Sequence, residues 1–207
     1  MIKFLKGKSK KQLFFYSLGV VAALVFAGGL FLLYLIKTLP SVEQIKAREM
    51  SQSTKIFDRT GTVLLYEISA GEKRTVIPED QVPQFLKDAI LSIEDEKFYE
   101  EPAFEWKSIL RAFFVNLKSG EIVQGGSTIT QQLAKNAFLS AEQTYIRKIK
   151  ELILAVRINE YYSKDKILWL YINEVPFGPS VYGAEAASLS YFGKSAKDLS
   201  LPESAIL

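Results

Sequence analysis

The chain carries carboxylates, lysines, arginines and tyrosines but neither His nor Cys. Imidazole catalysis, thiol nucleophiles, disulfide frameworks and the usual zinc sites are thereby excluded. Acid–base work falls to Asp, Glu, Lys or Tyr. Two carboxylates stand out. Glu94 opens Glu94-Asp95-Glu96 directly after Ile93, at the end of an apolar helical stripe. At the edge of a buried stripe it would be partly desolvated, which raises its pKa and suits a general base. The same spacing fits an acidic helix end facing water. Glu151 follows Arg147 by four residues and Lys148 by three, so all three share a helix face. That face is either a phosphate-holding patch with a carboxylate in it or a surface network of ion pairs. Gln131 with Lys135, and Gln132 with Asn136, form two i, i+4 rows, with Ile129, Leu133 and Ala137 on the other side. Such rows hold a sugar or a phosphate, or simply face water.

These residues need elements to position them. Leu86, Ala89, Ile90 and Ile93 have helical spacing after Pro83, and Trp106, Ile109, Leu110, Phe113, Phe114 and Leu117 extend that spacing. Ser127 or Thr128 can cap a helix to about Leu139. Ser140-Ala-Glu-Gln143 reads as a capping box for a long helix to about Tyr162. Ser163 can cap another over 164–174, and Gly183 to Leu207 is again helix-like and Ala-rich. Residues 54–77 instead favour short strands around the turn Asp58-Arg59-Thr60-Gly61. The body is expected to be mainly α with a small β element.

Leu13 to Ile36 runs without a charge, long enough for the ~30 Å hydrocarbon core of a bilayer. Five lysines in residues 1–12 precede it and predict a cytoplasmic N-terminus. The run is too long for the apolar core of an ordinary signal peptide. The expected organisation is a basic tail 1–12, a transmembrane anchor 13–36, a linker 37–53 and a domain 54–207. The net charge of +3 belongs to the tail. A nucleic-acid footprint over the body is therefore not expected.

Three motif-like stretches carry no chemistry. Gly120 to Ser127 is one residue short of a phosphate-binding loop, with Gly126 where its Lys must stand. Ser163-Lys-Asp-Lys166 and Lys118-Ser-Gly120 hint at a penicillin-reactive serine, but their order is wrong and Ser163 already serves as a cap.

The ordered set is more specific than any member. It comprises Glu94-Asp95-x-x-Phe98, Arg111-Ala112, Gln124-Gly-Gly-Ser-Thr-Ile-Thr-Gln-Gln132 with Lys135-Asn136, and Arg147-Lys148-x-x-Glu151. Tyr162-Ser-Lys164-x-x-Ile167 with Tyr171-Ile-Asn173 follows, then Gly178, Gly183, Ala186-Ala187 and Tyr191-Phe-Gly-Lys194. From about residue 54 to the end, the chain resembles the peptidoglycan glycosyltransferase domain of class A penicillin-binding proteins and their monofunctional relatives. The resemblance implies a lysozyme-like α fold on one membrane anchor in the cytoplasmic membrane, with the catalytic domain outside. It implies polymerisation of lipid II into β-1,4-linked glycan strands, with inversion at MurNAc C1 and release of undecaprenyl pyrophosphate. Glu94 would be the general base, and Lys135, Arg147 and Lys148 would hold the pyrophosphate. Glu151 would assist the leaving group directly or through a divalent cation such as Mg2+; no other cofactor is implied. Arg111, Ser127, Thr128, Gln131, Gln132 and Asn136 would line the cleft. The partners would be lipid II, the nascent glycan strand, the membrane and other cell-wall synthesis proteins. Gly125-Gly126 would hinge a mobile lid over a polymer that slides between cycles.

The chain also departs from the family. Glu101 and Ala103 stand where a His and a Gly are usual, adding a carboxylate near Glu94 or marking a shifted local structure. The family's domain is expected to continue past Leu207, and no transpeptidase domain lies within these residues. The competing functions are a degenerate, anchored lipid II-binding scaffold and a glycan hydrolase. Two carboxylates also suit the hydrolase, but it would have no use for the basic cluster.

Overall fold

The computed structural model describes residues 10–41, 44, 52–69, 71, 73–100, 127–140, 142 and 144–207. The chain divides into two units, Met1–Leu39 and Pro40–Leu207. In the first, the described residues form one helix, α1 (Lys10–Thr38). Within it, Phe14–Thr38 is long and apolar enough to cross a membrane, and 6% of its most apolar stretch is buried. A helix that is apolar all round has to be covered by protein or by lipid. At about 1.5 Å per residue this one rises roughly 37 Å, which exceeds the hydrocarbon core.

The second unit begins with a hairpin of β1 (Thr54–Phe57) and antiparallel β2 (Leu64–Ile68). Asp58 builds its turn: Oδ1 accepts from the backbone N–H groups of Thr62 and Val63, each at 3.0 Å, and Oδ2 from the Thr60 hydroxyl at 2.6 Å. The Thr60 hydroxyl, followed by these backbone donors, holds the Asp58 carboxyl down at about 2. Gly61 takes φ +73°, which a side chain would resist.

The strand-rich stretch also supplies β3 (Lys73–Arg74). It pairs parallel with β5 (Val181–Tyr182), and β5 pairs antiparallel with β4 (Pro176–Gly178). A buried ion pair secures this sheet, with Arg74 Nη1 2.5 Å from Glu174 Oε2.

The rest is mainly α, as expected. α2 (Gln84–Glu94) follows Pro83, α3 (Ile129–Phe138) follows Thr128, α4 is Tyr145–Tyr161 and α5 is Lys164–Glu174. Then come α6 (Ala184–Phe192) and α7 (Leu201–Ile206). The Thr128 and Ser163 hydroxyls accept from the N–H groups of Gln131 and Lys166, satisfying donors that the first helical turn leaves unpaired. α4 begins later than the Ser140 capping pattern predicts. Its cap is Thr144, whose hydroxyl accepts from Arg147 N at 3.1 Å. α3 ends at Phe138 and packs beside α4.

α3 packs against both α4 and α5. Ile129, Leu133 and Ala134 of α3, Leu154, Ala155 and Ile158 of α4, and Ile167, Leu168 and Ile172 of α5 are buried. Asn173 ties the end of α5 to the chain before α2: Oδ1 accepts from Ile77 N at 2.9 Å, and Nδ2 donates to Trp169 O at 3.0 Å. The expected helix over Trp106–Leu117 lies outside the described residues.

Candidate active site

Glu94 is the last residue of α2, and its side chain is exposed. The desolvation expected at a buried stripe's edge does not occur, because the stripe has already surfaced. Leu86 is fully buried, Ala89 and Ile90 are half-buried, and Ile93 is 75% exposed. A neighbouring helix restrains the carboxylate instead. Gln132 Nε2 donates to Glu94 Oε2 at 2.7 Å, and the Tyr171 hydroxyl of α5 donates to Gln132 Oε1 at 3.2 Å. Burial, and then the negative charge of Glu94, push the Tyr171 phenol above its ordinary range, so it stays a donor. Asp95 supplies a second link, as its Oδ2 accepts from Ile129 N at 3.1 Å. A carboxylate at that point pairs an otherwise open N–H and suits the positive end of the α3 dipole.

The second carboxylate has a different environment. The Glu151 side chain is 3% exposed, which rules out an open surface network. Lys148, from one turn earlier on α4, reaches Glu151 Oε2 at 2.9 Å, Ser127 Oγ at 2.6 Å and Gln131 Oε1 at 3.4 Å. Arg147 Nε lies 3.4 Å from Glu151 Oε1, close enough to attract but not aligned for a hydrogen bond. A buried carboxylate needs such cations, because desolvation alone would cost several kcal/mol. Gln131 is fully buried, so its row is not a solvated face. Glu151 Oε1 and Gln131 Nε2 are buried polar atoms without a hydrogen-bond partner among the described residues, which is uncommon inside a folded protein.

Gln131 and Gln132 are consecutive, so they project about 100° apart around α3. One serves the Lys148–Glu151 centre and the other holds Glu94. Lys135 and Asn136 lie one turn further along the same rows, both half-buried. Thr128 acts as the cap of α3. Arg111, Glu101, Ala103 and the Gly125-Gly126 hinge lie outside the described residues.

Two residues gain roles that sequence reasoning did not give them, although both lie in the quoted motifs. Asp95 has no local signal, because the helix it caps starts 34 residues later. Tyr171 occupies an apolar position of α5 and reads as core.

A resident divalent cation finds a poor donor set. Among the described residues no three acidic, His or Cys side chains cluster, and the buried Glu151 carboxylate already faces two cations. Mg2+ held by protein needs more oxygen than this. Charge on a leaving group would instead meet Lys148 and Arg147.

The family profile described as transglycosylase matches residues 61–207. The chain is 41% identical to penicillin-binding protein 1A of Aquifex aeolicus over 197 residues, which is 95% of this chain and 27% of the relative. It is 40% identical to penicillin-binding protein 1A of Escherichia coli over 197 residues, 94% of this chain and 23% of the relative. It is 43% identical to penicillin-binding protein 1F of Bacillus subtilis over 157 residues, 75% and 21% respectively. The chain thus spans about a quarter of the length of these relatives.

Proposed function

The chain belongs to the transglycosylase family, whose domain is lysozyme-like, and from that we propose that it is a peptidoglycan glycosyltransferase that polymerises lipid II. One observation carries the reading: through Gln132, α3 tethers the exposed carboxylate at the end of α2, and through Gln131 it meets a buried carboxylate of α4 with its two cations. These are the two halves of a displacement that needs a base at one end and positive charge at the other.

Glu94 takes the proton from the 4-hydroxyl of the acceptor GlcNAc. The oxygen attacks C1 of the donor MurNAc from the face opposite the leaving group. As the O–C1 bond forms, the bond from C1 to the pyrophosphate oxygen breaks, and its electron pair leaves with undecaprenyl pyrophosphate. The configuration inverts from α to β. The leaving group is a stable anion and needs preorganised cations more than a strong acid. Lys148, Arg147 and Lys135 supply that charge, Glu151 holds Lys148 and Arg147 in place, and Ser127, Thr128, Gln131 and Asn136 line the cleft. Arg111 belongs to this set by resemblance.

The chain is further proposed to sit in the cytoplasmic membrane through α1, single-pass, with the lysine-rich tail inside. The proposed boundaries are 13–36 for the anchor, 37–53 for the linker and 54–207 for the catalytic domain. The anchor brings the domain to a substrate whose lipid tail stays in the bilayer.

The test is lipid II polymerisation by the detergent-solubilised chain, followed as glycan ladders on a gel, wild type beside Glu94→Gln. Ladders from the wild type that vanish in the variant support reaction and base together. A folded wild type that binds lipid II without forming ladders would move the assignment to an anchored binding scaffold.

A further inference from the structure

We infer that Tyr171 is a positioning residue for Glu94: its buried hydroxyl fixes the Gln132 amide so that the N–H, not the oxygen, faces the carboxylate. The inference rests on Glu94 being the base proposed above.

Three elements meet in one directed chain. Tyr171 is 3% exposed on α5, where Ile167, Leu168 and Ile172 are also buried and which packs against α3. Its hydroxyl donates to Gln132 Oε1 at 3.2 Å, and Gln132 Nε2 donates to Glu94 Oε2 at 2.7 Å. Glu94 itself is exposed at a helix end, where a carboxylate on a three-torsion stem has many rotamers. An amide is two-sided, and rotating it by half a turn exchanges donor and acceptor. With its oxygen turned to Glu94, the amide would repel the carboxylate that has to be held.

The tyrosine removes that choice. The phenol makes no other hydrogen bond among the described residues, so a flipped amide would leave its O–H unpaired as well as turn an oxygen to the acceptor-only carboxylate; oxygen to the phenol and N–H to Glu94 satisfies both ends. Burial and the charge of Glu94 keep the phenol protonated, so the direction holds wherever the carboxylate is ionised. A residue needed for packing alone would not require the hydroxyl, and a buried hydroxyl without a partner is unfavourable.

The experiment measures kcat and KM for lipid II polymerisation, with melting curves, on the full detergent-solubilised chain. The set is wild type, Glu94→Gln, Tyr171→Phe, Gln132→Met and the double variant Tyr171→Phe/Gln132→Met. Tyr171→Phe should lower kcat about tenfold, a fraction of what a positioned base contributes. KM should stay within about twofold and the melting temperature should be unchanged. In the Gln132→Met background the same substitution should cost nothing more, because the chain is already cut. Placing 4-aminophenylalanine at 171, which keeps a donor there, should restore kcat to within about twofold of wild type. If Phe lowers melting, 4-aminophenylalanine is compared with 4-fluorophenylalanine, donor against non-donor of similar size. Wild-type kcat in Tyr171→Phe, losses that multiply in the double variant, or equal rates with and without the donor overturn the inference. If wild type makes glycan and Glu94→Gln does not, such a result leaves the functional assignment standing. A wild type that makes none overturns both.

Discussion

Lys148→Met separates the structural role of the basic centre from its chemical one. The ammonium makes three contacts, at 2.6 Å to Ser127 Oγ, 2.9 Å to Glu151 Oε2 and 3.4 Å to Gln131 Oε1. Methionine keeps most of the stem and removes all three. Glu151, 3% exposed, is then left with Arg147 at 3.4 Å in poor alignment. Breaking a fully buried pair costs about 3–5 kcal/mol. The Lys148 side chain is 42% exposed, so water screens its end of the pair and a charge-assisted hydrogen bond is the better measure. The expected destabilisation is about 2 kcal/mol, a melting shift of roughly 4–8 °C for a chain of this size.

Activity should fall much further. Removing one preorganised charge from a developing anion costs about 10²–10³ in kcat. The partner variant is Lys148→Met/Glu151→Gln, which also removes the stranded carboxylate. Its melting temperature should return to within roughly 2–3 °C of wild type, while its polymerisation rate stays at the level of Lys148→Met or below. The assays are calorimetric melting and lipid II turnover on the same preparations. Recovery of activity in the double variant would refute the reasoning, since Lys148 would then matter only as the counter-charge of Glu151. So would a single variant within about tenfold of wild type.

Other perturbations follow from particular contacts. Gly183 has φ +78°, and an added Cβ would lie 2.8 Å from the backbone oxygen of Asn173. Gly183→Ala should therefore cost about 3 kcal/mol or more, a melting loss of roughly 6–12 °C, and a loss under about 2 °C would contradict that geometry. Glu174→Ala removes the buried carboxylate that faces Arg74 and should cost about 3–5 kcal/mol, much of it recovered in Arg74→Met/Glu174→Leu when both are followed by denaturant unfolding. The Tyr99 phenol is raised to about 12 by partial burial, and then by its hydrogen bond to Asp165 and that carboxylate's charge. The folded state keeps this proton longer than the unfolded chain, whose phenols titrate near 10. Its contribution is therefore whole below about pH 10 and is lost between about 10 and 12. Alkaline melts of wild type should fall more steeply across that window than those of Tyr99→Phe.

Where the sequence carried a local signal, the elements followed it. Ser163 caps a helix over the span its spacing predicts, and Thr128 starts α3, because a hydroxyl three residues from an open N–H is a local device. The strands at 176–178 and 181–182 had no such signal. Segments of two or three residues have no period, and β5 finds its parallel partner at Lys73–Arg74, more than a hundred residues earlier. The start of α4 differs from the sequence expectation because Ser140 and Thr144 both have cap-forming hydroxyls, and it is Thr144 that accepts from Arg147 N. Spacing put Arg147, Lys148 and Glu151 on one face, but it could not tell that this face turns inward. That depends on α3, which brings Gln131 and Ser127 against Lys148. Glu94 erred the other way, because four apolar residues at helical spacing are not all buried when the helix leaves the core along its length.

That contrast between the two carboxylates bears on the chemistry. On the proposed mechanism the base must receive a hydroxyl from a bulky saccharide, so it cannot lie deep in the core. An exposed carboxylate then needs its orientation from elsewhere, and an amide anchored to a buried phenol provides it without enclosing the acceptor side. The second carboxylate has the opposite task. Held in low dielectric, it keeps two cations near the place where a pyrophosphate would leave, and its burial makes their positions costly to change. Both arrangements depend on one short helix. Gln131 and Gln132 are adjacent in sequence but point about 100° apart, so a rotation of α3 would disturb base and cationic centre together. Asp95, next to Glu94 in sequence, caps that same helix and resists such a rotation.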